Sequence, residues 1–286
     1  MRISRFDSRR ISQRTAFTFL ALAAVISITP VIFIIIYTIT KGAGAITWDF
    51  ITQFPSQAGK AGGILPAIIG TFYLMFGTLL FSLPVGVLAG IYLTEYARDN
   101  WLTRLINLAI VNLAGVPSIV FGLFGLSVFV LAFHFGLSLL AASLTLAAQA
   151  LAMVITTSRE AILAVPREYR EGSLAIGVTR WQTVRNIVLP QAMPGIITGA
   201  VLAISRAAGE TAPILVVGAA FLLPGLPHSP LDQFMALPYH LYTVAAHVPN
   251  MPETTMWGVA LVLLIVVLSF DVLAAAIRIK TRQRKT

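Results

Sequence analysis

Glu171 to Pro190 reads EGSLAIGVTRWQTVRNIVLP. This polar stretch sits between two long apolar runs, so in a chain that crosses a membrane it must lie outside the hydrocarbon. It opens on an acid followed by two small residues, Gly172 and Ser173. Gly177 comes after three more residues, and Ile187, Leu189 and Pro190 close it after a further nine. Two helix-forming stretches are expected, Arg167–Ile176 and Arg180–Val188. Gly177 falls between them, where glycine allows the positive φ of a tight turn. Pro190 is expected to end the second helix, and Pro194 to delay the next one.

The rest of the chain supports that placement. Of its 286 residues 57% are hydrophobic and only 11% charged, with a mean hydropathy of +0.87. No soluble domain hides so much apolar surface, so the class is a polytopic, all-α membrane protein. The net charge of +9 does not point to nucleic acid, because the basic residues sit between apolar spans. There is no cysteine, which excludes a disulfide framework, a metal–thiolate site and a thiol nucleophile.

Six runs are long enough to cross about 30 Å of hydrocarbon. They are placed near Ala16–Tyr37, Leu65–Leu93, Leu105–Phe133, Leu137–Thr157, Gly195–Leu222 and Met256–Ile277. The first continues past Pro30 and is too long for a signal peptide, so it is expected to be a retained helix. Seventeen of the twenty Lys and Arg residues fall in the amino-terminal tail, the second loop, the 159–194 loop and the carboxyl tail. Only Lys41 and Lys60 lie on the other side, and Arg206 lies inside the fifth span. The positive-inside rule therefore puts both termini and the 159–194 loop in the cytoplasm. The expected organisation is a basic tail (1–15), five spans (16–222) interrupted by the cytoplasmic loop, an extracytoplasmic cap (223–255), and a sixth span with a basic tail (256–286). His228, His240 and His247 in the cap match no metal-ligand spacing, and an exposed cap with a short helix near Pro238–Val248 is expected.

The fifth span holds the chemistry. Ala203 to Leu215 reads AISRAAGETAPIL, and Arg206 and Glu210 are four apart on one helix face. A charge at mid-bilayer costs roughly 2.5–3.5 kcal/mol, so such a pair faces a bundle interior or a water-filled path. Pro213 cannot donate to the Gly209 carbonyl, so a bend is expected there, with Thr211 adding a polar group. A guanidinium binds two oxygens of a tetrahedral oxyanion at once. Glu210 then serves as the resting partner of Arg206, or accepts the proton that phosphate carries near neutral pH and sulfate does not. A salt bridge that only locks helices together is the competing explanation. Ser118, after Pro117 in the third span, is a further candidate for the path.

The pattern Glu-small-small, Gly177 and Ile-x-Leu-Pro resembles the cytoplasmic coupling loop of ABC importer permeases, which docks on a separate ATPase. The usual opening is Glu-Ala-Ala; here it is Glu171-Gly172-Ser173. The resemblance implies that Glu171, Gly177 and Pro190 belong to the ATPase-coupling motif, that Gly172 and Ser173 allow close approach of the partner, that Ile187 and Leu189 anchor it, and that Arg170 and Arg180 offer it charge. SRAAGETAPIL, with NLAGVPSIVFGLFGL in the third span, is similar to the PstA-type permease of the phosphate-specific ABC importer. That resemblance implies a six-span MetI-like permease domain near 65–278 in the bacterial inner membrane. It also implies a PstC-like second permease, a PstB-like ATPase dimer, a PstS-like phosphate-binding protein, inorganic phosphate as cargo and lipid contact. No cofactor is expected in this chain, since ATP and Mg²⁺ belong to the ATPase and no phosphate-cradling glycine loop occurs. The alternatives are a sulfate, molybdate or tungstate permease, an ion-coupled secondary transporter, or a structural membrane subunit.

Overall fold

The computed structural model describes residues 5–283. Arg2, Arg284 and Lys285, which enter the positive-inside count, lie outside the described residues. The chain is a bundle of long helices. Helix α1 (Arg5–Gly42) absorbs the expected amino-terminal tail, because the basic residues continue the apolar helix without a break. Its membrane-length part makes no buried contact with the rest. It is held at its outer end, where Tyr37 meets Trp257 edge-on at 5.0 Å and Lys41 lies 4.0 Å from Glu253.

A short outer segment follows, with α2 (Trp48–Thr52) capped by Thr47 and a two-residue hairpin of β1 (Pro55–Ser56) and β2 (Ala61–Gly62). Helix α3 (Leu65–Ile91) runs on through a π turn to Tyr96. The expected third span is two helices, α4 (Trp101–Ala114) and α5 (Ser118–Gly125), the second extended by a π turn to Ala132. They meet at 105°, a correction to the single helix expected from hydropathy. The cause is Pro117, which has no N–H to donate and forces Val116 out of helical geometry. Among the described residues five helices are long and apolar enough to cross a membrane, and six spans result if the bent pair counts as one.

Helix α6 (Leu139–Leu163) is the centre of the bundle. Ser138 caps it by accepting from the Ala141 N–H at 3.2 Å. Small residues bring α3 against it: a Cβ on Gly86 would meet Val154 at 2.5 Å, and one on Gly90 would meet Ser158 at 2.9 Å. Without a hydrophobic drive between helices in lipid, such close backbone approach carries the packing.

Helices α7 (Arg167–Ala175) and α8 (Arg180–Thr183) form the polar loop. Helix α8 passes through a π turn, Val184–Val188, directly into α9 (Leu189–Gly209). Pro190 therefore does not end the helix, and Pro194 sits inside it, contrary to expectation. In the π turn the Leu189 N–H donates to Val184 five residues back, so the ladder is already widened where Pro190 lacks a donor. Arg180–Gly209 is in effect one helix, so the 159–194 loop is shorter than expected at both ends. Glu210 is extended (φ −72°, ψ 125°) and α9 stops there. The short α10 (Ala212–Val217) follows, with Pro213 in its first turn. The expected bend is thus a full break, and α10 packs on α5 through Gly122.

The cap holds α11 (Leu237–Ala246), and α12 (Glu253–Gln283) closes the bundle. The cap is not wholly exposed. Phe234, Met235, Ala236 and Leu237 are buried, and the Leu237 N–H donates to Thr71 Oγ1 at 2.8 Å. His240 is only 1% exposed and stacks on Phe221 at 5.2 Å.

Candidate functional site

Arg206 stands in the last turn of α9, and Glu210 is the first residue beyond it. Arg206 Nε lies 3.4 Å from Glu210 Oε1, so the pair expected from the spacing is present. Its two members differ in setting. The Arg206 side chain is 62% exposed and that of Glu210 only 15%. The structure adds a residue that sequence reasoning missed. Gln149, at the middle of α6, donates from Nε2 to the same Glu210 oxygen at 2.6 Å. A lone amide among alanines and leucines was the available signal.

Three hollows meet at Arg206. One of about 490 Å³ reaches α12 at Val267 and Asp271. Another, of about 310 Å³, runs along α6 past Met153, Thr156 and Glu160 and is walled by Val116 and Phe121 of the broken span. The third is a notch of about 20 Å³ between Gln149, Glu210 and apolar side chains. Gln149, Met153, Thr156 and Glu160 share one face of α6 at helical spacing. Leu113, Ala114 and Val116, beside the break, line the hollow along that face. Ser118 and Thr211 do not line these hollows. Ser118 is half-buried, two residues beyond Val116, and Thr211 follows Glu210 at the start of α10.

The polar loop is built as a rigid elbow. Gly177 has φ +83°, and nothing lies near where its Cβ would be. Thr179 and Gln182 form a reciprocal capping box that starts α8. Two expected contact residues turn inward instead. Ser173 is buried, with Oγ 2.9 Å from Thr183 Oγ1, and so ties α7 to α8. Arg170 Nη2 donates to Glu95 Oε1 at 2.8 Å and to the Ile162 carbonyl, so its charge is used within the chain. Glu95, given no role from sequence, is the buried partner that locks the loop to the end of α3.

Glu171, Arg180 and Arg170 border one recess of about 290 Å³, and Arg180 lies over the Tyr96 ring at 5.4 Å. Leu189 packs into the chain's own inner core beside Val188, and Ile187 is half-buried. Pro190 and Gly172 are exposed. Exposed large side chains with apolar surface are Tyr169, Leu174, Ile176 and Trp181, at 52%, 50%, 80% and 54%.

Residues 82–283, from within α3 to the end of α12, match the model of the family described as binding-protein-dependent transport system inner membrane component. The chain belongs to this family. Among its relatives is the phosphate transport system permease protein PstA 1 of Mycobacterium tuberculosis, 35% identical over 97% of this chain and 91% of that one. The fold is shared with solved ABC importers. A bacterial alginate ABC transporter, in complex with an alginate pentasaccharide-bound periplasmic protein, aligns with a TM-score of 0.68 at 14% identity, over 93% of this chain and 94% of the other. The MetNI methionine ABC transporter, in an inward-facing conformation, aligns with a TM-score of 0.59 at 20% identity, over 75% and 97%. The MetI-like permease fold expected from the sequence resemblance is therefore present. As an inner membrane component of an ABC transporter, the chain is a permease subunit.

Proposed function

We propose that this permease is the PstA-type half of an ATP-driven importer of inorganic phosphate, with Arg206 as the side chain that contacts the anion. The observation that carries this is the position of Arg206. It is the basic side chain shared by three hollows at the point where α9 breaks, with a carboxylate and an amide beside it. An arginine 62% exposed within a span is costly in lipid, so this face is covered by a second permease subunit or by a water-filled path. The phosphate permeases among the relatives support phosphate over sulfate, molybdate or tungstate as the cargo.

The finer assembly follows from the same reading. A PstC-like subunit completes the path, and a PstB-like ATPase dimer docks at Leu174, Ile176 and Trp181. A PstS-like binding protein delivers phosphate from the cap side. ATP and Mg²⁺ are held by the ATPase, and this chain carries no cofactor. Both termini and the α7–α8 elbow face the cytoplasm. Glu210 is the resting counter-ion of Arg206, released when phosphate takes its place.

The test is uptake of labelled phosphate by vesicles containing the whole importer. Arg206→Gln is expected to abolish uptake at normal membrane levels. Arg206→Lys should restore little, since a point charge does not reproduce two-pronged binding. Normal transport by Arg206→Gln would leave the pair as a structural salt bridge.

A further inference from the structure

Gln149 is more than a brace for Glu210. A carboxylate can only accept hydrogen bonds, so the 2.6 Å contact to Glu210 must use the NH₂ side of the amide. The other side, Oε1, is thereby turned away from Glu210. It is buried and has no hydrogen-bond partner among the described residues. A buried acceptor left unmet is costly, because it has given up its bond to water and gained none in return. Leu146, Ala150, Met153, Ala203 and Ala207 around the notch have no side-chain donor, and Arg206, the donor at its edge, bonds Glu210 and not this oxygen. The adjoining notch, about 20 Å³, has room for a single oxygen-sized group. Arg206 borders this notch and both wider hollows.

We propose that Gln149 is a specificity-determining residue that selects a protonated oxyanion, its Oε1 accepting a hydrogen bond from a P–OH group seated in the notch beside Arg206. This rests on the reading of Arg206 as the phosphate contact. A tetrahedral anion held by the guanidinium in the wider hollow presents one oxygen to the notch. There it meets a neutral acceptor, a carboxylate and apolar walls. Beyond the reach of Arg206, a bare anionic oxygen there faces two acceptors, Gln149 Oε1 and the Glu210 carboxylate, whereas a hydroxyl donates to one of them. Phosphate and arsenate carry a hydroxyl near neutral pH. Sulfate has none, and monofluorophosphate replaces it with fluorine at the same charge as hydrogen phosphate. Glu210 sets the polarity of the amide, because its charge keeps the NH₂ group engaged and the carbonyl free.

The experiment is equilibrium binding of labelled phosphate to the purified permease–ATPase complex in detergent, without the binding protein, so that only the membrane site selects. Arsenate, sulfate and monofluorophosphate serve as competitors. In the wild type arsenate should compete as phosphate does, and the two anions lacking a hydroxyl should compete at least ~10-fold more weakly. Gln149→Met removes the acceptor and should weaken phosphate while closing the gap to within ~3-fold. Gln149→Asn, which withdraws the amide by one methylene, should do the same and serves if the first variant assembles poorly. If Gln149 only braces Glu210, affinity for all four anions falls together with unchanged ratios, and the proposal is overturned. Equal competition by sulfate and monofluorophosphate in the wild type overturns it without any variant, and leaves a water as the occupant of the notch. A wild-type complex that binds no phosphate at all refutes the Arg206 site itself.

Discussion

His240 shows how a single residue's setting reverses what its sequence suggests. In a cap with no Lys or Arg it looked like a surface histidine, yet it is buried on Phe221 in α11. Burial pushes its imidazole down to about 4, against a hydrogen bond to the Phe221 backbone that favours the charged form. The neutral ring is the one that packs. Above the ordinary value of 6.5 both folded and unfolded forms are neutral, and the full stability of the cap is present. As pH falls from 6.5 towards 4 the unfolded cap takes up a proton that the folded cap refuses, and stability is lost across that window. The loss amounts to about 3 kcal/mol at its lower end. Hydrogen exchange, corrected for intrinsic rate, should show protection of α11 falling as pH drops through this range. His240→Phe should hold the protection level. A fall of the same size in that variant would assign the loosening to other groups.

At the scale of elements, the α7–α8 elbow is a rigid insert whose strength comes from inside the chain. The turn at Gly177 was legible because glycine between two helix-forming stretches has few other uses, and φ +83° agrees. A Cβ there has nothing within 4 Å among the described residues, so the cost of valine is chiefly conformational, about 1–2 kcal/mol for a left-handed residue and more for a β-branched one. Gly177→Val should leave membrane insertion intact but loosen the elbow and reduce stimulation of the ATPase. Gly172→Ala is the control: it is exposed in α7 with open space around it and should be neutral or slightly stabilising. Full ATPase stimulation by Gly177→Val would separate the elbow from coupling.

The inward turn of Arg170 and Ser173 was not legible, since their partners Glu95 and Thr183 are defined by packing and one of them is 75 residues away. The broken third span was half-legible. Val116-Pro117 is a boundary signal, but the apolar run continues through it, and hydropathy has no term for direction. The π turn before Pro190 left no trace, because it changes the ladder of hydrogen bonds and not the pattern of side chains. Gln149 and Glu210 lie 61 residues apart, so the second half of the charged site needed the fold.

For the whole molecule, the distribution of charge and the positions of exposed groups make one topology. Glu253 and Lys41 meet at one end of the bundle, and the α7–α8 elbow with its arginines stands at the other. If the arginine-rich end is cytoplasmic, the cap and the outer hairpin are on the far side. Cysteine scanning can test this because the chain has no cysteine of its own. The positions must be chosen from exposure, which rules out His240 at 1% and Thr183 at 3%. Asn250 is exposed beyond α11, and Ile176 is 80% exposed on the elbow. In intact cells, Asn250→Cys should react with a membrane-impermeant maleimide and Ile176→Cys should not. In inside-out vesicles without the ATPase, Ile176→Cys should become reactive, and adding the ATPase should protect it. The reverse pattern would invert the topology, and with it the direction in which Arg206 receives its anion. Labelling of Ile176→Cys unaffected by the ATPase would keep the topology but move the docking surface off Leu174, Ile176 and Trp181.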